Sequence, residues 1–153
     1  MRVLGIDPGK KGGYAIIELD GDVKTYGRMV LSGREVSIQP FVDCMRNQAE
    51  QLLVVIEKVH SMPSQSSQST FTFGEGYGKL KGVCEALGVS YELVHPQTWK
   101  REVLQGTDRT KLAAIEWVKR RYPGVNLARG GKVESDGIAD ALCIAEYGKR
   151  KFL

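Results

Sequence analysis

The chain has 153 residues, of which 42% are hydrophobic and 26% charged. That suits one compact unit spanning 1–153 and excludes a wholly disordered chain. The net charge of +4 leans toward anionic partners such as nucleic acid, while the three scattered cysteines and two histidines form neither a zinc set nor a disulfide framework.

No apolar run nears the ~18 residues of a membrane helix. The start, MRVLGID, lacks the core of a signal peptide. The expectation is a cytoplasmic protein with buried free thiols and no membrane contact.

In chain order, Arg2 to Asp7 reads as a buried strand. Gly13 to Leu19 reads as a second, closed by the hairpin signal Asp20-Gly21, and Val23 to Val30 as a third. These form an antiparallel meander. Ser32 or Ser37 caps a helix running to about Gln51, with Pro40 near its first turn. Leu52 to Glu57 is apolar until its final residue, as expected of a strand covered on both faces. The Ser/Gln-rich stretch from Ser61 to Thr70 reads as a loop. Phe71 to Leu87 reads as a helix despite its glycines. Tyr91 to Val94 is a short strand. Pro96 to Leu104 and Thr107 to Tyr122 are helices, the second with Leu112, Ile115 and Val118 on one side. Pro123 to Val133 is a Gly-rich basic loop. Ser135 to Tyr147 is the last helix, followed by a basic tail. Trp99 and Trp117 read as core. The order predicts an α/β fold: a mixed five-stranded sheet, made of the meander plus two parallel strands, flanked by helices.

Four acids stand out in this frame. Asp7 and Glu57 each end an apolar strand, at the sheet edge where open α/β folds bind ligands. Asp136 and Asp140 are four apart, so they share one face of the last helix. That helix is apolar nearly all round, and buried anions there require a compensating cation. Hard oxygen donors without soft ligands suit Mg²⁺, with Mn²⁺ as a substitute. Two such ions, about 3.5–4 Å apart, are a device for attack on a phosphodiester. Asp7, Glu57 and Asp136 also have plain readings as turn, strand-end and helix-start residues, whereas Asp140, interior to an apolar helix, fits such a reading worst.

The segments GIDPG, VVIEKV and DGIADAL resemble the RuvC group of Holliday-junction resolvases, within the RNase H-like superfamily. The resemblance spans nearly the whole chain. It implies a metal-dependent crossover junction endodeoxyribonuclease. Such an enzyme acts as a homodimer on four-way DNA, nicks two strands symmetrically and uses two Mg²⁺ per site. The short form with its polar loop suits a phage or prophage gene.

Carried onto this chain, Asp7 binds both metals, and Glu57 and Asp140 are further ligands. Several bacterial members space their last two ligands three apart, and here that position is Gly137. Asp136 is read as the fourth ligand, with Glu134 as the weaker substitute. Lys100 and Lys111, eleven apart, match a lysine pair that contacts DNA near the scissile phosphate, and Lys111 is assigned to the catalytic set. A Lys there supplies a point charge for phosphate. Some members carry a base-stacking phenylalanine three residues after the strand-end Glu. Here His60 stands there, with Phe71 and Phe73 further on as DNA-contacting candidates. Arg129, Lys132 and the tail Lys149-Arg150-Lys151 add nonspecific affinity for phosphates.

Two other readings remain open. One is a nuclease of the same fold acting on flaps, forks or RNA–DNA hybrids; the other is a junction-binding module without chemistry. A nucleotide-binding ATPase is excluded: no G-x-x-x-x-G-K-[ST] loop exists, and 153 residues cannot supply the two lobes.

Overall fold

A computed structural model describes all residues, 1–153. In β1 (Arg2–Asp7) the four central residues are buried, because helices cover both faces of the strand. β2 (Gly13–Glu18) and β3 (Val23–Arg28) follow as an antiparallel meander. Between them, Gly21 takes φ +98°, a left-handed value that side chains resist.

The segment after the meander departs from the expectation. Instead of a helix capped at Ser32 or Ser37, a small ribbon forms from β4 (Leu31–Ser32) and β5 (Glu35–Val36). Gly33 allows its turn at φ +63°. Helix α1 is short, Gln39–Arg46, with Pro40 in its first turn and no side-chain cap. Phe41 and Met45, one turn apart, form its buried face. A single 3₁₀ turn, Ala49–Gln51, leads into β6 (Leu52–Glu57). The apolar spacing supports only two turns of helix, so the stretch breaks into pieces.

Helix α2 (Ser67–Leu87) starts four residues before the expected Phe71. The Ser66 hydroxyl accepts from the Ser69 N–H at 3.1 Å, so a serine read as linker is the cap. Gly88 closes the helix at φ +66°. β7 (Ser90–Val94) follows, then α3 (Pro96–Val103), α4 (Lys111–Arg121) and α5 (Asp136–Phe152). The buried positions of α4 are Ala114 and Val118, so Leu112 turns outward and is 65% exposed. The basic tail is the last turn of α5, not a free extension. Lys149 and Arg150 pair with Glu146 at 2.9 and 3.0 Å, and Lys151 pairs with Glu102 at 3.1 Å.

The five-stranded sheet has the order β3-β2-β1-β6-β7, with β1, β6 and β7 parallel. This matches the mixed sheet expected from the sequence. Alternation divides its side chains between two cores. Val3, Ala15, Ile17 and Val55 face α3, α4 and α5. Leu4, Ile6, Ile16, Val54 and Ile56 face α1 and α2. Cys84 and Cys143 are buried free thiols, and Cys44 is half-buried.

Helix α5 lies unusually close to β1. A Cβ at Gly5 would collide with the Ala141 carbonyl oxygen and would stand 2.5 Å from the Ala145 nitrogen. The missing side chain lets the helix rest its backbone on the strand, which brings the α5 acids to the end of β1.

Candidate functional site

The parallel register pairs Ile6 with Ile56, so the next residues, Asp7 and Glu57, end adjacent strands at the same sheet edge. Asp136 opens α5, where a carboxylate favours the helix dipole, and Asp140 follows one turn later. Ser135 fixes that start, since its hydroxyl accepts from the Ile138 N–H at 3.1 Å. Residues spread over 134 positions of chain thus come to one edge.

Their charges are coupled. Burial, then the Glu57 charge, pushes the Asp7 carboxyl up to about 7; Asp136 adds to this, while the Gly9 N–H and Lys111 oppose it. Burial, then the Asp7 charge, pushes Asp140 up to about 7, with Glu57 and Asp136 adding and Lys100 opposing. Burial also raises Glu57, against the Trp99 hydrogen bond and the charges of Lys100 and His60. Asp136 differs: burial would raise it, but the Lys111 ammonium at 2.6 Å wins and holds it below its usual range.

Gly137 has no room for a side chain. A Cβ there would meet the Lys11 carbonyl oxygen and stand 2.5 Å from the Gly12 carbonyl carbon. Gly12 and Gly137 form a parallel bridge joining α5 to the turn after β1. No side chain fits at 137, and the residue before it carries the carboxylate.

The donors suit a hard divalent cation, because Asp7, Glu57 and Asp140 are half-buried acids without an ion pair of their own. As the side chains stand, no three of them close on one point as a finished coordination sphere. Asp136 is held by Lys111, and Glu134 turns away to Lys119 at 2.9 Å.

The other candidates are dispersed around this edge. Lys100 lies over the Trp99 ring, 5.3 Å from its centroid. His60 is exposed in the loop after β6. Phe73 packs beside Gly9, whereas Phe71 is 74% exposed on the outer side of α2. Arg129 and Lys132 are exposed in the loop before α5. Arg28, at the end of β3, ties that loop down by donating to the Arg129 and Val133 carbonyls at 3.1 and 2.6 Å.

Two features escaped the sequence reading. The first is the Trp99 indole N–H, which donates to Glu57 Oε2 at 2.7 Å. The second is a groove of about 490 Å³ beside the Pro8–Gly9 turn, lined by Lys10, Lys11, Arg34, Gln68, Thr72 and Phe73. Arg34 belongs to the ribbon turn that was expected to be helix, so its convergence with Lys10 had no sequence signal.

No family model and no curated protein sequence matches the chain. Solved structures do. The Thermus thermophilus RuvC structure is 19% identical with a TM-score of 0.63, over 98% of this chain and 96% of that one. T. thermophilus RuvC in complex with a Holliday junction substrate is 18% identical with a TM-score of 0.64, over 99% and 96%. The yeast mitochondrial Holliday junction resolvase Ydc2 is 16% identical with a TM-score of 0.60, over 97% and 77%. At these identities the likeness establishes the fold: RNase H-like, related to that of the junction resolvases.

Proposed function

We propose that this RNase H-like protein is a metal-dependent endonuclease of branched DNA, with the four-way junction as its preferred substrate and a homodimer as its working form. The observation that carries the reading is the gathering of Asp7, Glu57 and Asp140, unpaired and mutually repelling, at the strand-end edge. Such an arrangement costs stability unless a cation is bound. In the reading, these three residues and Asp136 hold Mg²⁺ or Mn²⁺, two ions per site. The chemistry such ions supply is activation of water and stabilisation of the leaving oxygen.

The chain's own side chains then have defined tasks. Asp7 and Asp140 supply the charge that the cations neutralise. Lys111 releases Asp136 when a phosphate arrives and puts its ammonium on that phosphate. Lys100 places a second positive charge near Glu57 and Asp140. Lys10, Lys11, Arg34, Arg129 and Lys132 offer contacts to the DNA backbone, which position the duplex without reading sequence. His60, Phe71 and Phe73 are the groups available to contact unpaired bases. One of the similar structures holds a Holliday junction substrate, which supports the choice of DNA. Paired symmetric nicks need two sites, hence the second copy.

The test is cleavage of four-way, three-way, flap and RNA–DNA hybrid substrates with Mg²⁺, Mn²⁺, Ca²⁺ or chelator. Cutting of four-way DNA is expected with Mg²⁺ and Mn²⁺ only, and Asp7→Asn is expected to bind junctions without nicking them. Preferential cutting of flaps, forks or hybrids would assign the other nuclease reading. A second reading, a junction-binding module without hydrolysis, draws on the absence of a closed donor set. It predicts junction binding with no nicking by the parent under any metal.

A further inference from the structure

We infer that Trp99 is a positioning residue that fixes the Glu57 carboxylate for metal binding, and that its indole reports whether the site is filled. The inference rests on the reading of Glu57 as a ligand. Trp99 is fully buried, and a buried indole N–H requires an acceptor. Here the acceptor is a carboxylate oxygen of the candidate site, 42 residues away in sequence.

The bond joins the site to the fold's largest hydrophobic core. The Trp99 ring packs in the same core as Val55, Ala139, Leu142 and Cys143. The first of these is on the Glu57 strand; the other three are on the helix that carries Asp140. Glu57 and Asp140 are therefore referenced to one rigid body. Glu57 Oε2 accepts the indole N–H, while no protein group donates to Oε1. The carboxylate plane is set before any ligand arrives, and one oxygen is left for it.

Lys100 extends the same device. It follows Trp99 on α3, and its charge bears on both Glu57 and Asp140. Helix α3 thus orients one acid while partly neutralising two. Outer donors of this kind are worth ~10–100-fold in metal affinity.

The experiment is Mn²⁺ binding to the full chain, with free Mn²⁺ counted by electron paramagnetic resonance. Trp99→Phe keeps an aromatic ring and removes the donor; it is expected to bind Mn²⁺ ~10–100-fold more weakly than the parent. Trp117→Phe is expected to bind like the parent. In that variant Trp99 is the only tryptophan, and its emission should be quenched with the same midpoint as Mn²⁺ uptake. A second measurement needs no substitution at 99. In ¹⁵N-labelled parent, saturating Mg²⁺ should move the Trp99 indole N–H resonance and leave that of Trp117 in place. Parent-like Mn²⁺ affinity in a folded Trp99→Phe overturns the inference, as does an unmoved Trp99 resonance in parent shown to bind Mg²⁺. A parent that binds neither ion overturns the metal-dependent reading itself, and this inference with it.

Discussion

The acids at the strand ends should destabilise the metal-free protein, and Asp7→Asn should relieve it. An unfolded Asp7 ionises near the ordinary value of 3.8, whereas the folded one keeps its proton until about 7. Between these values the unfolded chain has released a proton that the folded chain retains. Stability therefore falls as pH rises from about 4 to 7, and the penalty is complete above 7. At about 1.36 kcal/mol per pH unit, the ceiling is roughly 4 kcal/mol. Asp140 carries a similar penalty, but the two share their repulsion and titrate as a pair, so the figures do not add. Water also reaches the sheet edge and screens them. Asp7→Asn, which is nearly isosteric, should gain about 2 kcal/mol at pH 8 in chelator and only about a third of that at pH 5. In melting temperature that is roughly 4–8 °C. On the proposed metal site, saturating Mg²⁺ should close the gap, because a ligand held by the folded parent alone stabilises it. The assay is urea denaturation at both pH values, with chelator or Mg²⁺. A variant no more stable than the parent at pH 8 would refute the claim that these carboxylates crowd one another.

Three further outcomes follow from local geometry. Gly137→Ala should lower stability by about 2–3 kcal/mol, or roughly 5–10 °C by calorimetry, because its Cβ meets backbone that cannot turn aside. Glu146→Gln should cost about 2–3 kcal/mol at pH 7, since buried Glu146 accepts from Tyr122 at 2.8 Å and pairs with Lys149 and Arg150. Burial would raise that carboxyl, but its three partners hold it below 4.5, so the loss should persist at neutral pH and fade only below 4.5. Lys111→Met should weaken junction binding and flatten its logarithmic salt dependence by about one unit, read by filter binding across a salt series.

The sheet and the four acids were legible because their signals are strong and local. An apolar run that ends in an acid marks a strand whose last residue leaves the core, as Asp7 and Glu57 do. An acid interior to an apolar helix marks a cost that needs a reason, as Asp140 does. What failed was local chemistry with two meanings. Ser66 looks like linker and serves as a cap; Ser32 and Ser37 look like caps and are not. Leu112 fits a helical stripe, yet the buried face of α4 is formed by Ala114 and Val118 and leaves Leu112 exposed.

Trp99 shows a different kind of limit. Composition and spacing place it in the core, and it is there. Nothing along the chain says that its one polar atom reaches Glu57, because that depends on how α3 crosses the end of β6. The same holds for Gly137. Along the chain it is a glycine at a position where the resemblance leads to the expectation of an acid. The bridge between Gly12 and Gly137 gives the reason for the glycine, since the position has no room for any side chain. Asp136, one residue earlier at the start of the helix, keeps its side chain and pairs with Lys111 at 2.6 Å.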